Sequence, residues 1–157
     1  MQISAKRRAR EGGNAMTEFA IGGMVLAFVF TGTFQFGYAF YIYNNLENAV
    51  NNGAKYASQR TYEDTSATLS TCFKTAVQDM VAYGDPTGGT TTAIAPGLLP
   101  SNVSVTASYS NGVPTQLTVA ISSYTINAVT SSYTLTNKPQ FTYPFLGRYA
   151  PGETCSQ

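Results

Sequence analysis

Histidine and tryptophan are both missing from this 157-residue chain, and charged side chains make up only 11% of it. Without histidine the usual general base is gone, and with it every Ser-His or Cys-His pair that could activate a nucleophile. With two cysteines and no histidine, metal binding is not credible. The glycine-rich piece from Gly84 to Thr92, GDPTGGTTT, lacks the lysine of a phosphate-binding loop and reads as a turn. No enzyme, cofactor or metal is expected. A formal charge of +1 gives no overall field toward nucleic acid.

Charge is also locally absent. No residue from Phe19 to Leu46 is an Asp, Glu, Lys or Arg, and residues 19–43 are mostly apolar. About 20 apolar residues suffice to cross a bilayer as a helix, so this stretch is expected to span one. Lys6, Arg7, Arg8 and Arg10 precede it, which predicts an N-terminus held in the cytoplasm and a C-terminal part across the membrane. Beyond residue 13 there are five basic residues against seven acidic ones, so the basic cluster is a local device. A secretory signal peptide fits poorly: the apolar stretch exceeds the roughly 7–15 residues of such a segment, and no Ala-x-Ala-like site closes it.

No proline interrupts residues 14–60, and Leu46, Ala49, Val50, Gly53, Ala54 and Ala57 recur at helical spacing, with Asn44, Asn45, Glu47, Asn48, Asn51, Asn52 and Lys55 on the other side. The helix is expected to leave the lipid and become amphipathic. Gly22, Gly23, Ala27, Gly32 and Gly37 stud the span, and small residues of this kind let membrane helices approach closely. A second helix is expected from about Ser66, capped there or at Thr65, to Tyr83. Its buried face would be Leu69, Cys72, Phe73, Ala76, Val77, Met80 and Val81, and Gly84 with Pro86 would end it.

After a turn-rich loop over 85–100 the period changes to two. Val103, Val105, Ala107 and Tyr109 predict a strand, Asn111-Gly112 a tight turn, and Leu117, Val119 and Ile121 the returning strand. Pro114 leaves open a hairpin loop longer than two residues. Tyr124, Ile126, Tyr133, Leu135, Phe141 and Tyr143 suggest further short strands. The expected fold is α+β: a long N-terminal transmembrane and amphipathic helix, a second helix and a small antiparallel sheet. Cys72 and Cys155 both fall beyond the membrane, where a disulfide between them could contribute about 2–4 kcal/mol; two free thiols are the alternative. The tripeptide Asn102-Val103-Ser104 matches a glycosylation acceptor, a pattern common by chance.

The order Gly13-Asn14-Ala15-Met16-Thr17-Glu18-Phe19, behind a basic start and ahead of an apolar span, resembles the processing site of type IV prepilin-like proteins. In that class a membrane aspartyl peptidase cuts after a glycine and leaves a glutamate at the fifth mature position. The resemblance implies a leader at residues 1–13, a cut between Gly13 and Asn14, and a role for Glu18 and Phe19 in assembly. Phe34-Gln35-Phe36-Gly37-Tyr38-Ala39-Phe40-Tyr41, Leu46-Glu47-Asn48-Ala49 and Asn52-Gly53-Ala54-Lys55-Tyr56-Ala57 are similar to the N-terminal domain of the TadE family, pseudopilins of bacterial tight-adherence (Flp) pilus systems. The similarity runs from about Arg8 to Ser58; Gly22-Gly23 stands where many relatives have a proline.

The resemblance implies three segments: the leader at 1–13, a TadE-like helix at 14–60 and an extracytoplasmic α+β domain at 61–157. It implies an inner-membrane minor pseudopilin whose partners are the bilayer, a prepilin peptidase and other pilin or pseudopilin subunits of the assembly machinery. The competing reading is a static single-pass membrane-anchored binding module, its helix a tether and its outer domain the recognition element.

Overall fold

The computed structural model describes the backbone of residues 3–64, 66–89, 92–128 and 131–153, and side chains within that set from residue 13 onward. The element order is α1 (Ile3–Gln59), α2 (Thr71–Tyr83), a single 3-10 turn (Pro100–Asn102), β1 (Val103–Ser110), β2 (Val113–Ile121), β3 (Tyr124–Asn127), β4 (Ser132–Leu135) and β5 (Gln140–Pro144). The architecture is α+β, as its helix-then-strand order requires. Two compact units divide it, Met1–Tyr38 and Ala39–Gln157.

The first unit is helix throughout its described length, and the helix starts at Ile3 rather than at Asn14. Ala5, Lys6, Arg7, Arg8, Ala9, Arg10 and Glu11 are good helix formers, and a Gly-Gly pair costs only about 1 kcal/mol per residue relative to alanine. Propensity upstream therefore carries the helix through Gly12 and Gly13. Within the span, Thr31 Oγ1 donates to the Ala27 carbonyl at 2.8 Å and Thr33 Oγ1 to the Val29 carbonyl at 2.9 Å. These back-bonds satisfy the hydroxyls inside the helix itself, as an apolar surrounding demands.

In the second unit, α1 becomes the wall of a core. Ile42, Leu46, Ala49, Val50, Ala54 and Ala57 are buried at three- and four-residue spacing, while Asn44, Glu47, Asn48, Asn52 and Lys55 stay exposed; Asn45 and Asn51 depart from the exposed face and are half-buried. Gly53 is buried on the same face because α2 comes so close: a methyl group there would lie 2.2 Å from Val81 Cγ2.

Helix α2 starts five residues later than Ser66. Ser70, extended at φ −60° and ψ 155°, caps it by accepting from the Phe73 N–H at 3.1 Å. Ser66 is consumed elsewhere, its N–H and hydroxyl both bonded to Asp64 Oδ1; Thr65 lies outside the described residues. The far end follows the expected stop: Gly84 sits at φ 75° and its N–H reaches the Met80 carbonyl at 3.0 Å. Phe73, Ala76, Val77, Val81 and Ala82 form the buried face, with Cys72 and Met80 half-buried at its rim and Leu69 buried just before the helix.

The strands make two antiparallel sheets, one ordered β1-β2-β5 and one pairing β3 with β4. Pro114 does not lengthen the first hairpin. Ser110 pairs with Val113 across a two-residue loop, Asn111 at φ 50° and Gly112 at φ 82°. A register shift after Ser108 leaves Thr115 without a register partner on β1, and this bulge absorbs the proline. Val103, Val105, Leu117, Val119 and Ile121 turn inward, each side chain contributing about 1.5–3 kcal/mol when fully buried. Tyr143 Oη donates to Asn51 Oδ1 of α1 at 2.7 Å, which ties β5 to the helix.

Candidate assembly interface

Two features bear on function: the open N-terminal helix face, and the aromatic knot that holds the folded domain to the end of α1.

From Met16 to Tyr41 the helix carries a run of bare apolar and aromatic side chains, among them Met24, Phe28, Phe30, Phe34, Phe36 and Phe40; Phe19 is 84% exposed. A methyl group on Gly22, Gly23, Gly32 or Gly37 would meet nothing within 4 Å outside the helix's own neighbouring backbone. These small positions are thus open notches along the exposed helix. Helix Gly13–Gln59 is long and apolar enough to cross a membrane. At its start Asn14 Nδ2 donates to Glu18 Oε1 at 3.4 Å, and Thr17 Oγ1 donates to the Gly13 carbonyl at 2.9 Å. Gly13, Asn14, Glu18 and Phe19 therefore share two consecutive exposed helical turns. The side chains of Lys6, Arg7, Arg8 and Arg10, and the whole of Cys155, lie outside the described residues.

The amino-acid sequence of this open face has a recognised counterpart. Residues 13–55 match the family described as TadE-like protein. This segment is TadE-like. It covers about a quarter of the chain and ends inside the buried stretch of α1, short of α2 and all strands. The match points to a Tad pilus-associated protein anchored by its N-terminal helix. Comparison with curated proteins and with solved structures gives no match.

Beyond the TadE-like segment the knot is centred on Tyr62, a residue with no periodic signal, placed in the break between the helices. Its ring is buried and meets Phe73 and Phe145 edge-on at 6.1 and 6.3 Å, stacks on Tyr149 at 6.0 Å and leans on Tyr109 at 6.1 Å. Its hydroxyl is within hydrogen-bonding distance of the Ser66 and Thr68 carbonyls, at 2.8 and 2.9 Å. Burial first, then the Tyr109 hydroxyl, pushes the phenol well above its ordinary range, so it stays neutral. The backbone joins in: the Tyr62 N–H donates to the Arg148 carbonyl, and the Ala150 N–H to the Tyr62 carbonyl, both at 2.8 Å. A methyl group on Gly147 would lie 2.0 Å from the Arg60 carbonyl oxygen, so only glycine permits this approach. Arg60 lies over the Tyr56 and Phe73 rings, and its Nη2 is 4.0 Å from Cys72 Sγ.

Asn102 of the glycosylation tripeptide accepts from the Leu99 N–H at 2.9 Å and donates its amide nitrogen to the Ser123 carbonyl, so the nitrogen a sugar would need is engaged. Burial, and secondarily Asp85, raises the Asp79 carboxyl above its usual value. Among the described residues no cluster of acids, cysteines or histidines is arranged to hold a metal, and no buried side-chain polar atom lacks a partner.

Proposed function

We propose that this chain is a minor pseudopilin of a Flp-type pilus system, whose work is helix packing. The observation that carries the reading is the coincidence of the TadE-like match with a long helix that is apolar, notched by glycines and exposed. In lipid such helices associate through close backbone approach, since hydrophobicity alone gives no drive between them. Residues 1–13 are the leader, 14–60 the packing and supporting helix, and 61–157 the extracytoplasmic domain. The N-terminus lies in the cytoplasm of a bacterium and the span in its inner membrane.

A prepilin peptidase cuts the Gly13-Asn14 bond. That bond is helical, so the turn must open first; the adjacent glycines Gly12 and Gly13 ease its unwinding by about 1 kcal/mol each. Cleavage liberates an amine at Asn14, one turn from Glu18, whose carboxylate already accepts from the Asn14 amide. An ionisable group near the lipid is costly unless paired, so Glu18 answers the new amine of its own or a neighbouring subunit. Across the membrane Cys72 pairs with Cys155: Gly152 donates to the Glu63 carbonyl at 2.9 Å, and Ser70 Oγ to Glu63 Oε1 at 3.3 Å. These bonds bring the C-terminal segment to the threshold of α2.

The test is N-terminal sequencing of the protein extracted from membranes, beside a Gly13→Leu variant. An Asn14 start for the natural chain and precursor size for the variant are expected. A Met1 start, with the variant running at the same size, makes the helix a tether and the protein an anchored binding module.

A further inference from the structure

The domain has a defined end that points back along α1. Tyr143 meets Asn51 and the Leu146 N–H meets the Ser58 carbonyl at 2.8 Å, so β5 runs in the same direction as α1. Tyr109, at the far end of β1, meets Tyr62 just past the end of the helix. Helix α2 returns the other way, Phe73 lying at Tyr62 and Val81 over Gly53. The opposite end of the sheet, where Val103 pairs with Ile121 and Ala120 with Gln140, therefore faces toward Tyr41 and Ile42. Three residues of strand separate Tyr143 from Gln140, about 10 Å. That is about seven residues of helix, which brings Gln140 to the level of Asn44, with Lys138 beyond it past Pro139.

This end has its own chemistry. Leu99, 54% exposed, precedes the 3-10 turn, and Lys138 is exposed between β4 and β5. The segments that form it, 99–102, 122–123 and 136–139, contain no acid. About one turn further back along α1, Phe40 and Tyr41 are exposed, and they are the last large exposed apolar residues of the helix. Aromatic residues at the end of an apolar span mark the water–lipid boundary. We infer that this end of the domain rests on an anionic phospholipid surface, with Leu99 entering the headgroup layer and Lys138 pairing with lipid phosphate. The inference rests on the proposed membrane span of α1. It gives the domain a second attachment, which limits its swing about the helix.

The absence of tryptophan supplies the test, because a single introduced tryptophan is then the only one. Full-length Leu99→Trp, Phe40→Trp and Leu146→Trp chains are reconstituted into vesicles of phosphatidylcholine and phosphatidylglycerol doped with brominated lipid, a quencher. Leu146 is 73% exposed at the opposite end of the domain and serves as the distant reference. Quenching is expected at positions 40 and 99 and not at 146. In the Leu99→Trp chain, Lys138→Ala should lower the ratio of docked to undocked domain about fivefold, as should replacing phosphatidylglycerol with phosphatidylcholine. Quenching at 40 without quenching at 99 overturns the inference and leaves the membrane span standing. Quenching at 99 that ignores both Lys138→Ala and lipid charge overturns the phosphate pairing. No quenching at 40 removes the membrane span, and the inference with it.

Discussion

Gly53→Ala tests the packing of α1 against α2 most directly. The new methyl carbon would stand 2.2 Å from Val81 Cγ2 and 3.5 Å from Val81 Cβ. Carbon atoms in contact sit at about 3.5–4.0 Å, so the helices must part by more than about 1 Å or Val81 must turn. Val81 is fully buried and β-branched in a helix, which holds it to one strongly preferred rotamer. Overpacking of this kind costs about 1–3 kcal/mol. Alanine recovers about 1 kcal/mol of helix propensity. The net expectation is a loss of about 1 kcal/mol, or a fall in Tm of about 2–4 °C for a chain of this size. In a Val81→Ala background the obstacle is gone, and the same Gly53→Ala change should stabilise by up to about 1 kcal/mol. The assay is thermal unfolding of the four full-length proteins in detergent, followed by near-UV circular dichroism of the tyrosines. A Gly53→Ala chain that melts higher than the parent in both backgrounds would refute the reasoning.

Three other outcomes are expected by the same assay. Tyr62→Phe should cost about 1 kcal/mol, because the exposed Ser66 and Thr68 carbonyls can take water instead, whereas Tyr62→Ala should cost about 3–5 kcal/mol; equal losses would mean that the ring packing is not what holds the knot. Ser70→Ala should cost about 1 kcal/mol and Ser66→Ala less than about 0.5 kcal/mol, and the reverse order would move the N-cap of α2. Asp79→Asn should stabilise at neutral pH and make little difference in acid. With its folded pKa raised, the carboxyl binds more proton folded than unfolded between its ordinary value and the raised one, so stability falls as pH rises through that window. An advantage of the Asp79→Asn chain that grows toward low pH would contradict this sign.

Much of the candidate interface could be read without coordinates. A charge-free stretch of lipid-crossing length, the glycine spacing, and Glu18 against the basic start are local properties, and the exposed TadE-like helix carries them in plain order. The domain beyond the helix was legible in its parts and less so in its joins. The buried stripe from Leu46 to Ala57, the stop at Gly84 and the turn at Asn111-Gly112 each follow from a period or a backbone preference within a few residues. The start of α2 did not follow, because Ser66 and Ser70 are equivalent cap residues by chemistry, and only the Asp64 turn decides between them. Pro114 misled for a related reason: a bulge at Thr115 is a property of the pair of strands, not of either alone.

What the residues determined by themselves is therefore most of what has its partners near in the chain: the apolar helix, its change of character after the span, the presence and end of the second helix and the turn of the first hairpin. Tertiary structure decided the rest. Tyr62 gathers Phe73, Tyr109, Phe145 and Tyr149, and Gly53 and Gly147 are small because Val81 and the Arg60 carbonyl approach them. The physical reason is range. Periodicity tells a side chain which face it belongs to, but only packing tells that face what it will meet.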